Sequence, residues 1–227
     1  NIEKAMADGD FDHALRICDE QLAQHPGSLS EILKLKGEVL LKKADYKQAA
    51  AFYDKILERG NIAWAQLGRG RVDFLMGNYD RAKNAFENII SQNDKIMPAY
   101  DFLAQTLIKM KNPQEAQQIL MKATAISPKS LLRHKSLGNL AYRNKDFATA
   151  ESSFKTAVEQ GKNSCYKSAS DYTSLARTLV WRNAPQEGLK VLDTAIKEFP
   201  EAKSDTLLQV RTAKSFVYTR MNNVDEA

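Results

Sequence analysis

Along the chain, apolar residues return at spacings of three and four, and no stretch alternates apolar with polar long enough to make a useful strand. Leu67, Val72, Leu75 and Met76 fall on one helix, which Gly77-Asn78 interrupts. A second helix begins at Tyr79 and carries Ala82, Phe86, Ile89 and Ile90. The pattern predicts two helices joined by a tight turn, and it recurs with a fixed phase. GNYDRAKNAF at 77–86, ADYKQAAAFY at 44–53 and KDFATAESSF at 145–154 each place an aromatic three residues before an alanine. Aligned on it, Ala14, Ala49, Ala82, Ala116 and Ala150 stand 35, 33, 34 and 34 residues apart. The series runs on to Gly188 and Ala227 by longer steps of 38 and 39. A period in the thirties marks a stacked array in which each unit buries its apolar face against its neighbours.

The residues held in phase have packing reasons. Twelve before each anchor from Ala49 onward stands another small residue: Gly37, Gly70, Ala104, Gly138, Ala176 and Ser215. Two small residues at a crossing let paired helices approach closely. Four after the anchor comes a large group: Tyr53, Phe86, Leu120, Phe154 and Leu192. Twelve after it, Pro26, Pro128 and Pro200 stop the second helix, because a proline ring cannot continue one. Pro113 and Pro185 fall instead at a helix start, where proline is tolerated. Where the steps lengthen, the extra residues of GKNSCYKSASDY and FPEAKSDT are expected to extend a loop or the start of the next helix.

This combination resembles the tetratricopeptide repeat (TPR) family over the whole chain, 1–227. The resemblance implies an all-α, right-handed superhelical solenoid of antiparallel helix pairs, about six of them, with a concave inner groove. The family's tryptophan near the start of the first helix is mostly missing, and Cys18 takes the aromatic slot of the first unit. WAQLGRGRV (64–72), SPKSLLRHKSLGNLA (127–141), EQGKNS (159–164) and SASDYTSLARTLV (168–180) are similar to the TPR region of bacterial two-component response regulators, which carry a CheY-like receiver ahead of the repeats. That likeness implies a bacterial signalling scaffold; the rival is an arm presenting substrate to an enzyme domain elsewhere. NIEKAMADGDFDHA and MNNVDEA read as truncations within a repeat at both ends.

Composition adds exclusions. The 227 residues are 43% hydrophobic and 27% charged, and 33 − 28 gives a net charge of +5 with the signs interleaved. No run of like charges makes a polybasic arm. No apolar run is long enough to span a membrane, and no signal pattern opens the chain. Cys18 and Cys165 form no CxxC pair, so a reducing, cytoplasmic compartment is expected. His13, His25 and His134 lack metal-ligand spacing, and no nucleophile elbow, phosphate loop or dinucleotide fingerprint occurs. The glycines of LGRGR lie inside a helix pattern, and the neighbouring acids Asp19-Glu20 and Asp225-Glu226 face different ways. No catalysis, cofactor or metal is expected. Some helix-pair proteins read RNA, but the small crossing residues here fit the TPR pattern better, and the basic residues are balanced by neighbouring acids.

In TPR proteins the groove is lined by the first helix of each pair, at three before and one after its small residue and about a turn later. Carried over by that resemblance, the slots hold Lys34, Glu38, Trp64, Arg71, Phe74, Asp101, Gln105, Lys135, Asn139, Tyr142, Arg143, Arg177 and Trp181. The expectation is an extended, partly acidic protein segment bound between Trp64 and Arg177, with self-association a further expectation. Lys135 and Asn139 match half of the chaperone-type carboxylate clamp, but Ser174, Gln209 and Ala213 break the rest.

Overall fold

The computed structural model describes residues 1–24, 29–199 and 204–224, and the expectations on His25, Pro26, Pro200, the middle of FPEAKSDT, Asp225, Glu226 and Ala227 lie outside them. Among the described residues there are thirteen α-helices and no strand. In chain order these are α1 (Ile2–Ala7), α2 (Phe11–Gln24), α3 (Leu29–Lys42), α4 (Tyr46–Leu57), α5 (Ala63–Leu75), α6 (Tyr79–Gln92) and α7 (Met97–Lys109). They continue as α8 (Pro113–Ile126), α9 (Leu131–Arg143), α10 (Phe147–Gly161), α11 (Ala169–Trp181), α12 (Pro185–Glu198) and α13 (Ser204–Val224). The chain forms two compact units, Asn1–Asn112 with α1–α7 and Pro113–Ala227 with α8–α13. In each unit, successive helices reverse direction and pack on their neighbours in sequence order. Odd-numbered helices are the first of a pair (helix A) and even-numbered ones the second (helix B).

One turn design joins A to B throughout. The turns 8–10, 43–45, 76–78, 110–112, 144–146 and 182–184 each have three residues. Their middle residues, Gly9, Ala44, Gly77, Lys111, Lys145 and Asn183, all have positive φ, between 59° and 80°. A left-handed residue there lets the next amide reach back to a carbonyl five residues earlier, as Asn78 does to Asp73 and Asp146 to Ala141, and so satisfies the helix end. The third turn residue then caps helix B: Asp10, Asp45 and Asp146 accept the backbone N–H of His13, Gln48 and Thr149. The next residue is an aromatic or a proline. Tyr79 packs on Phe74 at 5.8 Å and Phe147 on Tyr142 at 5.6 Å, so the repeated aromatic clips the start of B to the last turn of A.

The small residue of helix A makes room for the large residue of helix B. A methyl group on Gly70 would lie 2.8 Å from Cε1 of Phe86, and one on Gly138 2.8 Å from Cε1 of Phe154. Gly37 gives way to Tyr53 in the same manner, and Tyr53 also covers Gly68 of the following helix A. Where helix A carries Ala176 instead, helix B carries the slimmer Leu192, and both lie in one buried cluster. The anchor completes the crossing, since a methyl on Gly188 would stand 3.1 Å from the Ala176 carbonyl oxygen.

The first long step is resolved into its parts. Helix α10 has 15 residues against 14 for α8, and the linker 162–168 replaces the shorter 127–130. Lys167 pairs with Glu198 and the Lys135 ammonium donates to the Tyr166 carbonyl at 3.0 Å, so the C-terminal end of the longer linker is fastened to both α12 and α9. Pro128 follows the end of α8 as expected. Ser215 is exposed, unlike the other small residues, because no described helix packs over that side of α13. Its phase still holds. Lys214, just before it, reaches Asp193 at 2.7 Å, as Lys36 and Arg69, just before Gly37 and Gly70, reach Asp19 and Asp54.

Candidate functional site

In Asn1–Asn112 the sequence-derived residues are Lys34 and Glu38 on α3, Trp64, Arg71 and Phe74 on α5, and Asp101 and Gln105 on α7. Several are used inside the fold. Arg71 forks onto Glu38 through both terminal guanidinium nitrogens and lies 5.2 Å from the centre of the Phe102 ring. Phe102 in turn stacks on Phe86 at 5.6 Å and meets Phe74 edge-on at 6.4 Å. Trp64 is half-buried against Tyr53, at 6.3 Å between ring centres. Lys34 and Gln105 are exposed and Asp101 is half-buried.

In Pro113–Ala227 the sequence-derived residues divide. Lys135 is occupied: its ammonium lies 2.8 Å from Asp171, a buried acid, as well as on the Tyr166 carbonyl. Burial pushes the Asp171 carboxyl above its ordinary range, and Lys135 opposes that shift. Asn139 and Arg143 on α9 and Arg177 on α11 are exposed. Tyr142 and Trp181 come together, the indole N–H donating to the Tyr142 hydroxyl at 3.0 Å. Phe147 stacks parallel to the Trp181 ring at 5.6 Å, and the Arg220 guanidinium sits 4.3 Å from that ring's centre. Trp181 stays 43% exposed, so the indole is held in place yet open to solvent.

Arg177 differs from Arg71. Among the described residues it forms no ion pair, and its nearest ring is Phe216 at 6.0 Å. It lines a cavity of about 350 Å³ with Thr173, Leu208, Gln209 and Thr212, between α11 and α13. Leu208 is 61% exposed there, a large apolar side chain left in water.

Charge is distributed unevenly. Residues 1–112 hold 16 basic and 16 acidic side chains, while 113–227 hold 17 and 12, so the whole net charge of +5 belongs to the second unit. Helices α9, α11 and α13 account for it, with seven Lys or Arg against two Asp. Among the described residues no group of three His, Cys, Asp or Glu could hold a metal ion, and no helix is long and apolar enough to cross a membrane. Cys18 is buried and Cys165 exposed, both as free thiols.

The groove pattern did not point to Phe102, Phe147, Leu208, Phe216 and Arg220. Phe147 was visible as the repeated aromatic, but its use in holding Trp181 needs the folded geometry. Leu208 and Arg220 lie on α13, beyond the long step at FPEAKSDT, where the phase was least secure.

Residues 73–140 match the family model of the tetratricopeptide repeat. No curated protein matches the chain in sequence. Among solved structures, the C-terminal part of a TPR repeat-containing protein from Cytophaga hutchinsonii superposes with a TM-score of 0.73 at 14% identity, over 96% of this chain and 86% of that one. YrrB, described as a TPR protein with an unusual peptide-binding site, gives 0.60 at 22% identity over 80% of this chain and 91% of its own. MamA from Desulfovibrio magneticus gives 0.57 at 24% identity, covering 72% and 93%. The fold is therefore that of TPR proteins.

Proposed function

We propose that this chain is a non-catalytic protein-interaction scaffold of the TPR class whose second unit holds an extended, acidic protein segment on the helix A face of α9, α11 and α13. The observation that carries the reading is the pair of exposed arginines Arg143 and Arg177 on α9 and α11, within a set of helices that carries a net positive charge, beside an ordered but exposed tryptophan. Complementary charge speeds encounter and selects partners more than it adds raw affinity, while Trp, Tyr and Arg are the residue types that dominate interface energetics. The peptide-binding site for which YrrB is described supports the use of this fold to hold peptides.

The test is fluorescence anisotropy with acidic, neutral and basic extended peptides of one length. Acidic peptides are expected to bind best, with affinity falling as salt rises, and Arg143→Glu with Arg177→Glu should weaken them without loss of helicity. Equal binding of all three peptides by the wild type, or an unaffected double variant, would refute the reading. Reversing Arg71 is a poorer probe, because Glu38 already occupies it.

The four phrases similar to response-regulator TPR regions support a finer proposal, that the scaffold serves a phosphorelay protein. It rests on those phrases alone. The full-length gene decides it: a receiver pattern ahead of Asn1 supports the signalling context, and a catalytic domain there supports the substrate-presenting arm instead.

A further inference from the structure

The geometry points to the cavity between α11 and α13 as a subsite for one acidic side chain of the bound segment, with Arg177 taking the carboxylate and Leu208 covering an adjacent aliphatic residue. This rests on the proposed binding of a protein segment and adds which part of it is read, and by what.

Three observations converge on the cavity. Arg177 is an exposed guanidinium with no carboxylate partner among the described residues, in a unit with five more basic than acidic side chains. At the matching position of the first unit, Arg71 shows what such a side chain does when an acid is in reach: it forks onto Glu38. A guanidinium presents parallel donors that fit the two oxygens of a carboxylate, so a segment's Glu or Asp would do for Arg177 what Glu38 does for Arg71. The third observation is Leu208, 61% exposed on the opposite wall. At about 350 Å³ the cavity lies near the small end of ligand pockets, suited to one or two side chains.

The remaining polar groups sharpen the choice. The Thr173 hydroxyl is spent on the Ser170 carbonyl and the Thr212 hydroxyl on the Leu208 carbonyl. With those hydroxyl protons used, Arg177 and the amide of Gln209 are left as the donors that can meet a carboxylate. One cation and one exposed aliphatic wall suit a single carboxylate next to an apolar group. A nucleic-acid backbone presents repeated charge and needs several cations and stacking faces.

The experiment is a double-mutant cycle between protein and peptide, read by calorimetry. The probes are four N-acetylated, C-amidated peptides of one polar scaffold, carrying Glu-Leu, Gln-Leu, Glu-Ser or Gln-Ser at their centre, and the Glu-Leu peptide with a free C-terminus. With the wild-type chain, Glu→Gln in the peptide should weaken binding about tenfold, in keeping with a charge-assisted hydrogen bond. With Arg177→Gln that difference should vanish. Likewise, Leu→Ser in the peptide should weaken binding to the wild type and leave binding to Leu208→Ser unchanged. If Glu→Gln costs the same in Arg177→Gln as in the wild type, the subsite is elsewhere and the inference fails, while binding on the helix A face stands. If only the free C-terminus binds, a terminal carboxylate is the ligand and the inference also fails. If no peptide binds but a single-stranded oligonucleotide does, both the inference and the proposed function are overturned.

Discussion

Glu38 and Arg71 occupy the same place on successive A helices of the first unit, one residue past Gly37 and Gly70, and they close on each other in a two-point ion pair. The pair ties neighbouring repeats together and removes one arginine from the surface available to a partner. Glu38 is 41% exposed, so water and salt screen the pair. A double-mutant cycle with Glu38→Gln and Arg71→Gln should give a coupling of about 1 kcal/mol or less, shrinking further in high salt. A coupling of several kcal/mol that ignored salt would show the pair to be far better shielded than its exposure indicates.

Gly138 and Phe154 set a stronger constraint. Three ring atoms of Phe154 would lie within 3.0 Å of a methyl at Gly138, and the ring itself is buried. Overpacking costs about 1–3 kcal/mol, which should exceed the roughly 1 kcal/mol that alanine gains over glycine inside a helix. Gly138→Ala should therefore lower stability in urea unfolding. Adding Phe154→Leu should recover part of the loss, since Ala176 with Leu192 is the same solution already present in the chain. A Gly138→Ala chain more stable than wild type would contradict this.

Ala44 sits at the middle of its turn with φ of 61°, a left-handed conformation that glycine adopts at no steric cost. Ala44→Gly should raise stability by about 0.5–1 kcal/mol, the penalty relieved outweighing the entropy that glycine adds to the unfolded chain. The reverse change at Gly77, where φ is 80°, should lower it. Thermal unfolding of the two variants checks both signs.

Asp146 carries a pH dependence. The Thr149 hydroxyl, with help from the Thr149 amide and the Gln117 side chain at 2.6 Å, holds its carboxyl below the ordinary value of 3.8, against an opposing effect of burial. A carboxyl lowered on folding adds stability that is present above its unfolded pKa and lost as pH falls through its folded one. Asp146→Asn keeps a capping side chain but removes the charge. At pH 7 the variant should be less stable than wild type, and the gap should close below about pH 4, near the unfolded pKa of aspartate. A gap that stays constant from pH 7 to pH 3 would mean that ionisation of Asp146 contributes nothing.

The repeat phase was legible because it is written in side-chain size. Glycine or alanine stands where a ring or a leucine arrives from helix B, and an aspartate, asparagine or proline stands where helix B begins, so those residues announce the helices directly. The helix A slots were legible as positions, but their state was not. Arg71 and Arg177 share one phase; whether each is spent depends on Glu38 being one repeat away and on no acid reaching Arg177. Lys135 likewise looked available, yet Asp171 on α11 and the Tyr166 carbonyl on the lengthened 162–168 linker hold it. Pairings across repeats depend on which long side chain reaches its neighbour, and one-dimensional phase does not carry that.

The most direct test of the account is hydrogen exchange of the chain alone and with a saturating acidic, leucine-bearing peptide. The account predicts slowed exchange along α11 and α13, extending to α9 around Asn139 to Arg143, with α10 and α12 unchanged. Protection confined to the B helices α10 and α12, or to the first unit, would place the partner on another surface and contradict it.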